Sequence, residues 1–103
     1  MSGAYRLLVV ESFEIGSTSG HRDPVQIRPV SGQFYPPTML LECSRRMVNT
    51  LLYPVGTKFK AWVQPKQKAD CKPHLYCNYR DKIVVVSDAE AMVLIAEIKR
   101  GGV

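Results

Sequence analysis

The residue types best suited to chemistry gather between positions 57 and 82. Thr57-Lys-Phe-Lys-Ala-Trp-Val-Gln64 alternates apolar and polar residues. In a strand, that period places Phe59, Ala61 and Val63 on one face and Lys58, Lys60, Trp62 and Gln64 on the other. Further on, His74, Tyr76, Asn78 and Arg80 share one face, while Leu75, Cys77 and Tyr79 share the opposite one. An antiparallel hairpin with Leu75 and Cys77 inward would collect Lys58, Lys60, Trp62, His74, Tyr76 and Arg80 on its outer face. Cations for phosphates and flat rings for bases are what single-stranded nucleic acid requires. Trp, Tyr and Arg are also the usual anchors of a protein-contact patch. The plainest account is a solvated sheet face, with lysines that block edge pairing and aromatics that make cross-strand pairs.

Cys71-Lys-Pro-His74-Leu-Tyr-Cys77 brings metal-ligand types into a Cys-x₂-His-x₂-Cys spacing. Such spacing is near that of short zinc knuckles, and a closed site needs a fourth ligand. Cys43 is the candidate by residue type, with His21 or Asp70 behind it. However, residues three apart in a strand point to opposite faces, so His74 and Cys77 diverge. Structural thiols are the simpler expectation. A cysteine nucleophile needs a neighbouring base, and His74 beside Cys71 or Cys77 offers the only local pair. The acids are scattered and no hydrolase motif occurs. No catalytic residue, metal ligand or cofactor is therefore assigned, and a small enzyme or zinc protein at Cys71, His74 and Cys77 ranks third. Gly16-Ser-Thr-Ser-Gly20 lacks the Lys-Ser/Thr ending of a phosphate-binding loop and reads as a plain loop.

Several elements must position these residues. Positions 5–15 form a long strand with Leu7 to Val10 buried on both sides. Positions 16–24 read as a flexible loop, and Val25 to Val30 as an edge strand or a strand that stops at Pro29. Ser31-Gly32 marks a turn, Gln33 to Pro37 a stiff linker, and Thr38 to Cys43 a third strand. Ser44 caps one short helical or 3₁₀ turn, followed by a loop through Gly56. The best strand then runs from Thr57 to Gln64, and 65–73 form a second flexible loop. His74 to Val86 reads as one long strand, bent or bulged near 78–81.

Ser87-Asp-Ala-Glu90 is a capping box that opens a helix over about 88–100, with Lys99 and Arg100 in its last turn and Gly101 as its stop. Only Glu90 and Glu97 relieve its apolar surface. A helix so apolar needs more cover than one sheet face gives, most simply from a second copy. Met92, Leu94 and Ile95 are the expected dimer contacts.

The chain has 103 residues, enough for one domain spanning 1–103. The expected fold class is α+β, mainly β: a small SH3-like or OB-like partly open barrel of about five strands with one C-terminal helix. Lys and Arg number 14 against nine acids, a formal charge of +5 that favours anionic partners. Seven of the 14 cations lie at 58, 60, 66, 68, 72, 80 and 82. No apolar run is long enough for a membrane span. The four apolar residues Leu7 to Val10 are too few for a signal-peptide core, and three cysteines suit a reducing compartment, so a cytoplasmic protein is expected.

Tyr53-Pro-Val-Gly-Thr-Lys-Phe-Lys60, with the Lys-rich loop and His74-Leu-Tyr-Cys-Asn-Tyr79, resembles small uncharacterised bacterial proteins of mobile gene cassettes and prophages. The resemblance covers about a third of the chain and implies an accessory bacterial protein with no catalytic residues to carry over. The leading expectation is a non-enzymatic binding module, protein-contacting and homodimeric, that uses the 58–80 face. Single-stranded nucleic-acid binding through the same face is the alternative.

Overall fold

The computed structural model describes residues 5–15, 25–42, 44–66, 73–77 and 82–100. The elements follow in the order β1 (Arg6–Glu14), β2 (Val25–Pro29), β3 (Leu41–Glu42), a 3₁₀ turn (Arg45–Val48), β4 (Lys58–Lys66), β5 (His74–Cys77), β6 (Val84–Val86) and α1 (Asp88–Lys99). The sheet runs β2-β1-β4-β5-β3, with β6 paired to β4 off that path. Every pairing is antiparallel except the parallel β3–β5 pair. The two ends of the path, β2 and β3, come back into contact, so five strands wrap into a nearly closed barrel. The fold is thus mainly β and barrel-like, with one C-terminal helix.

The alternation in the sequence sets the two faces. Leu8, Val10, Phe59, Val63 and Leu75 are fully buried in the interior, joined by Met47 from the 3₁₀ turn. Burying each such side chain contributes about 1.5–3 kcal/mol. Val9 instead points out of the barrel and packs with Val86 and Ala91 beneath α1. That second layer explains why Val9 is buried along with its inward neighbours Leu8 and Val10. The expected short turn forms, as 3₁₀ helix, and the Ser44 side chain accepts the Arg46 N–H at 3.3 Å.

Three expectations are corrected. Thr38 to Cys43 is too long for the third strand: Met39 N–H bonds back to Pro36 C=O at 3.1 Å, Leu40 C=O accepts Leu75 N–H at 2.9 Å, and the strand itself is Leu41–Glu42. The expected loop 65–73 starts too early, because Pro65 and Lys66 belong to β4. Pro65 is tolerated there because its position faces the β1 side, past Arg6↔Val63 where the described β1–β4 register ends. Finally, His74 to Val86 is two strands. β4 is long enough to carry β5 along Val63–Lys66 and β6 along Lys58–Lys60 on the same edge. The expected loop 16–24 and the bend at 78–81 lie outside the described residues.

α1 opens with the capping box read in the sequence. Glu90 N–H donates to Ser87 Oγ at 3.1 Å, and Ser87 N–H donates to Glu90 Oε1 at 2.9 Å. The helix lies on the outer layer with Ala91 buried and Leu94 and Ile95 half-buried against Val9 and Val86. Two of the three expected dimer contacts, Leu94 and Ile95, therefore turn toward their own barrel, while Met92 is 74% exposed. No described helix is long and apolar enough to cross a membrane.

Candidate interaction face

The outer face of β4 carries Lys58, Lys60, Trp62, Gln64 and Lys66, because their alternates Phe59, Ala61 and Val63 are buried in the barrel. Trp62 is 47% exposed, so its indole is neither core nor fully solvated. β1 supplies the neighbouring row through the pairs Leu7↔Trp62, Val9↔Lys60 and Glu11↔Lys58. β5 supplies the other side through Gln64↔Tyr76 and Lys66↔His74.

The candidates divide by what already holds them. Lys58 belongs to a charge chain that ties four elements together. Arg28 Nε bonds Glu11 Oε2 at 2.9 Å, and Lys58 Nζ lies 3.9 Å from Glu11 Oε1 and 3.0 Å from Asp88 Oδ1. This lysine fastens the start of α1 to the sheet. His74 and Tyr76 are half-buried. His74 Nε2 sits 3.5 Å from Glu42 Oε2, and the Lys66 ammonium lies 4.1 Å above the Tyr76 ring. Arg80 lies outside the described residues, as do Cys71, Cys43, His21 and Asp70. Lys60 and Trp62 remain as the exposed pair at the centre of the face.

Two hollows flank that pair. A small cavity of about 60 Å³ opens where β4 passes from β6 to β5. Lys60, Trp62, Lys82, Val84 and Cys77 are among its walls. Pockets that enclose small-molecule ligands start near about 300 Å³, so this one is too small for such a ligand. A shallow groove of about 410 Å³ runs between α1 and β4, lined by Lys60, Val86, Val93, Glu90 and Glu97 among others. Its acids come from the helix and its cation from the sheet. The Glu90 carboxyl is held below the usual carboxylate range, first by the Ser87 backbone N–H, then by the Ser87 side chain, with a smaller contribution from the Lys60 charge.

His74 and Cys77 point to opposite faces, the imidazole outward and the thiol into the barrel. Among the described residues, no three His, Cys, Asp or Glu side chains gather where a metal ion would fit.

Two features of the face escaped the sequence. Tyr5 lies beside Gln64, its hydroxyl 3.4 Å from Gln64 Nε2. Lys82 and Val84 border Trp62 because β6 returns to β4. No local signal marked the second, because the capping box at Ser87 fixes where the valine strand ends and not where it begins. Compared with known proteins, the chain matches no family model, no curated protein and no solved structure.

Proposed function

We propose that the chain is a non-enzymatic interaction module. It contacts a protein partner through the outer face of β4 and pairs with a second copy of itself. One observation carries the reading: Trp62 stands half exposed between the buried Ala61 and Val63, with exposed Lys60 and Val84 beside it. A large amphipathic ring flanked by a cation and an aliphatic side chain is the usual centre of a protein contact. Glu90 and Glu97 border the same face, so the partner should offer an apolar side chain for the indole and mixed charge around it.

Single-stranded nucleic acid is the second reading, favoured by Lys60 and Lys82 lining the same small cavity as Trp62 and by the charge of +5. Three other outer rings already carry the protein's own cations. Arg6 stacks on Phe34 at 4.1 Å, Arg28 on Phe13 at 4.2 Å and Lys66 on Tyr76 at 4.1 Å. A base would have to displace them, which weighs toward the protein partner.

Selection of peptides from a random display library tests the leading reading. Enriched peptides should carry an aromatic or aliphatic anchor and lose binding to Trp62→Ala. No enrichment, or binding indifferent to Trp62→Ala, overturns it. Salt-sensitive binding of oligonucleotides that Lys60→Ala and Trp62→Ala both weaken would establish the second reading instead.

A further inference from the structure

We infer that the outer edge of β6 is the self-association surface, pairing antiparallel with β6 of a second copy about a two-fold axis at Val85. This rests on the self-pairing proposed for the chain and assigns it to a strand edge rather than to the exposed side of α1.

The backbone sets the phase. Val9 directs its N–H and C=O toward β2, where they meet Gln33 and Val30. Adjacent residues of a strand face opposite neighbours, so Leu8 and Val10 face β4. Val10 pairs with Phe59, which leaves Lys58 and Lys60 facing β6, and their partners Val86 and Val84 facing back. Val85 therefore directs its N–H and C=O away from β4. Among the described residues, β6 pairs only with β4.

The side chains suit a copy of the same strand. Val84 is 37% exposed and Val85 is 49% exposed. The strand itself holds no proline, glycine or charge of the kind that protects edges. Opposed β-branched residues make favourable cross-strand pairs. The charges choose the occupant. Lys82 lies three residues before Val85 and Asp88 three residues after it. Antiparallel pairing about Val85 brings each Lys82 to the end of the ladder where the other copy's Asp88 opens α1. The Asp88 side chain is 86% exposed beyond its contact with Lys58, so it can take a second cation. The ladder must be short, because Ser87 N–H already donates to Glu90 and Ser87 C=O already accepts Ala91 N–H at 2.8 Å. A short edge with opposite charges at its two ends fits its own inverted copy better than a long extended peptide. It should give a dimer that dissociates on dilution.

Sedimentation across a concentration series tests this at low salt. The wild type should dimerise, and Lys82→Asp or Asp88→Lys alone should weaken the dimer at least about tenfold (roughly 1.4 kcal/mol). Each reversal repels its own copy twice, whereas an equimolar mixture restores both pairs, so native mass spectrometry should show the mixed dimer in excess. Val85→Lys gives an independent check that leaves the Asp88–Lys58 contact untouched, and it should be monomeric with an unchanged circular dichroism spectrum. A wild-type dimer that tolerates Val85→Lys, or mixes the reversals without preference, overturns the edge assignment while self-pairing stands. A wild type that is monomeric throughout overturns self-pairing itself.

Discussion

The side-chain amide of Gln33 bonds to the backbone of Val9 as a strand residue would. Its Oε1 accepts Val9 N–H at 2.7 Å, and its Nε2 donates to Val9 C=O at 2.7 Å and to Val30 C=O at 2.8 Å. β2 ends at Pro29, one residue before Val30 N–H makes its own bond to Val9 C=O at 3.0 Å. Gly32, at φ +92°, supplies the turn between them. The amide thus continues the ladder over the residue that also carries α1.

Gln33→Ala should therefore destabilise beyond an ordinary loop substitution. It removes three bonds and leaves Val9 N–H without its partner, a loss of about 1–3 kcal/mol. For a domain of this size, each kcal/mol lowers Tm by roughly 4–8 °C. Gln33→Glu keeps the acceptor but sets a carboxylate against two carbonyl oxygens, which raises its folded pKa. Its stability should be restored toward low pH, where it is protonated and can donate, and lost as pH rises through the folded pKa. Urea unfolding near about pH 4 and pH 7, each against wild type, checks the sign. An equal deficit at both would show that the single O–H of the protonated carboxyl does not take over a bond donated by the amide.

The docking of α1 can be tested by opposite substitutions on its two sides. Ala91 is 2% exposed against Val9 and Val86. Ala91→Leu should overpack that layer and cost about 1–3 kcal/mol. Met92, at 74% exposure, should accept Gln within about 0.5 kcal/mol. Thermal unfolding of both variants decides whether the helix presents the stripe that the structure gives it.

That stripe shows where the sequence was legible and where it was not. Phe59, Ala61 and Val63 could be assigned inward because period-2 alternation depends only on the strand itself. The capping box at Ser87 was legible for the same reason, since all its partners lie within three residues. The split of His74 to Val86 into β5 and β6 was not. It depends on β4 being long enough to serve two partners in succession, a tertiary fact that no local pattern carries. The apolar circumference of α1 misled in a related way. Leu94 and Ile95 looked surplus to one sheet face, but Val9 on the outside of β1 provides a second apolar layer for them. Of the candidate face, Trp62 and Lys60 were legible as outward residues. The loss of Lys58 to the Glu11–Asp88 chain was not, because its partners lie 47 positions before it and 30 after it.

Ser87→Ala should cost about 1 kcal/mol, a usual value for removing a helix cap. The carboxyl of Glu90 adds a pH dependence. Its folded pKa lies below the ordinary carboxylate value, chiefly through the Ser87 backbone N–H. Its contribution is thus fully present above the unfolded pKa and is lost as pH falls through the folded one. Glu90→Gln should remove that slope while leaving stability near neutral pH only slightly lower, because Gln also completes a capping box. Unfolding curves from neutral to acid pH compare the two proteins. A slope that persists in Glu90→Gln would assign it to other carboxylates.

Trp62 is the only tryptophan, so its fluorescence reports the face directly. It should be quenched readily by acrylamide in the free protein, as expected of a half-exposed indole. Trp62→Ala should cost no more than about 1 kcal/mol, while Phe59→Ala, on the opposite face of the same strand, should cost about 3–5 kcal/mol. This contrast matters because alternation alone gives both residues large rings in one strand. Only their burial separates a packing ring from a contact ring. If Trp62→Ala destabilises as much as Phe59→Ala, the indole holds the sheet together and has no claim on a partner. If it leaves the fold intact, the exposed ring lacks a folding role, and a bound partner should then shift its emission and shield it from acrylamide.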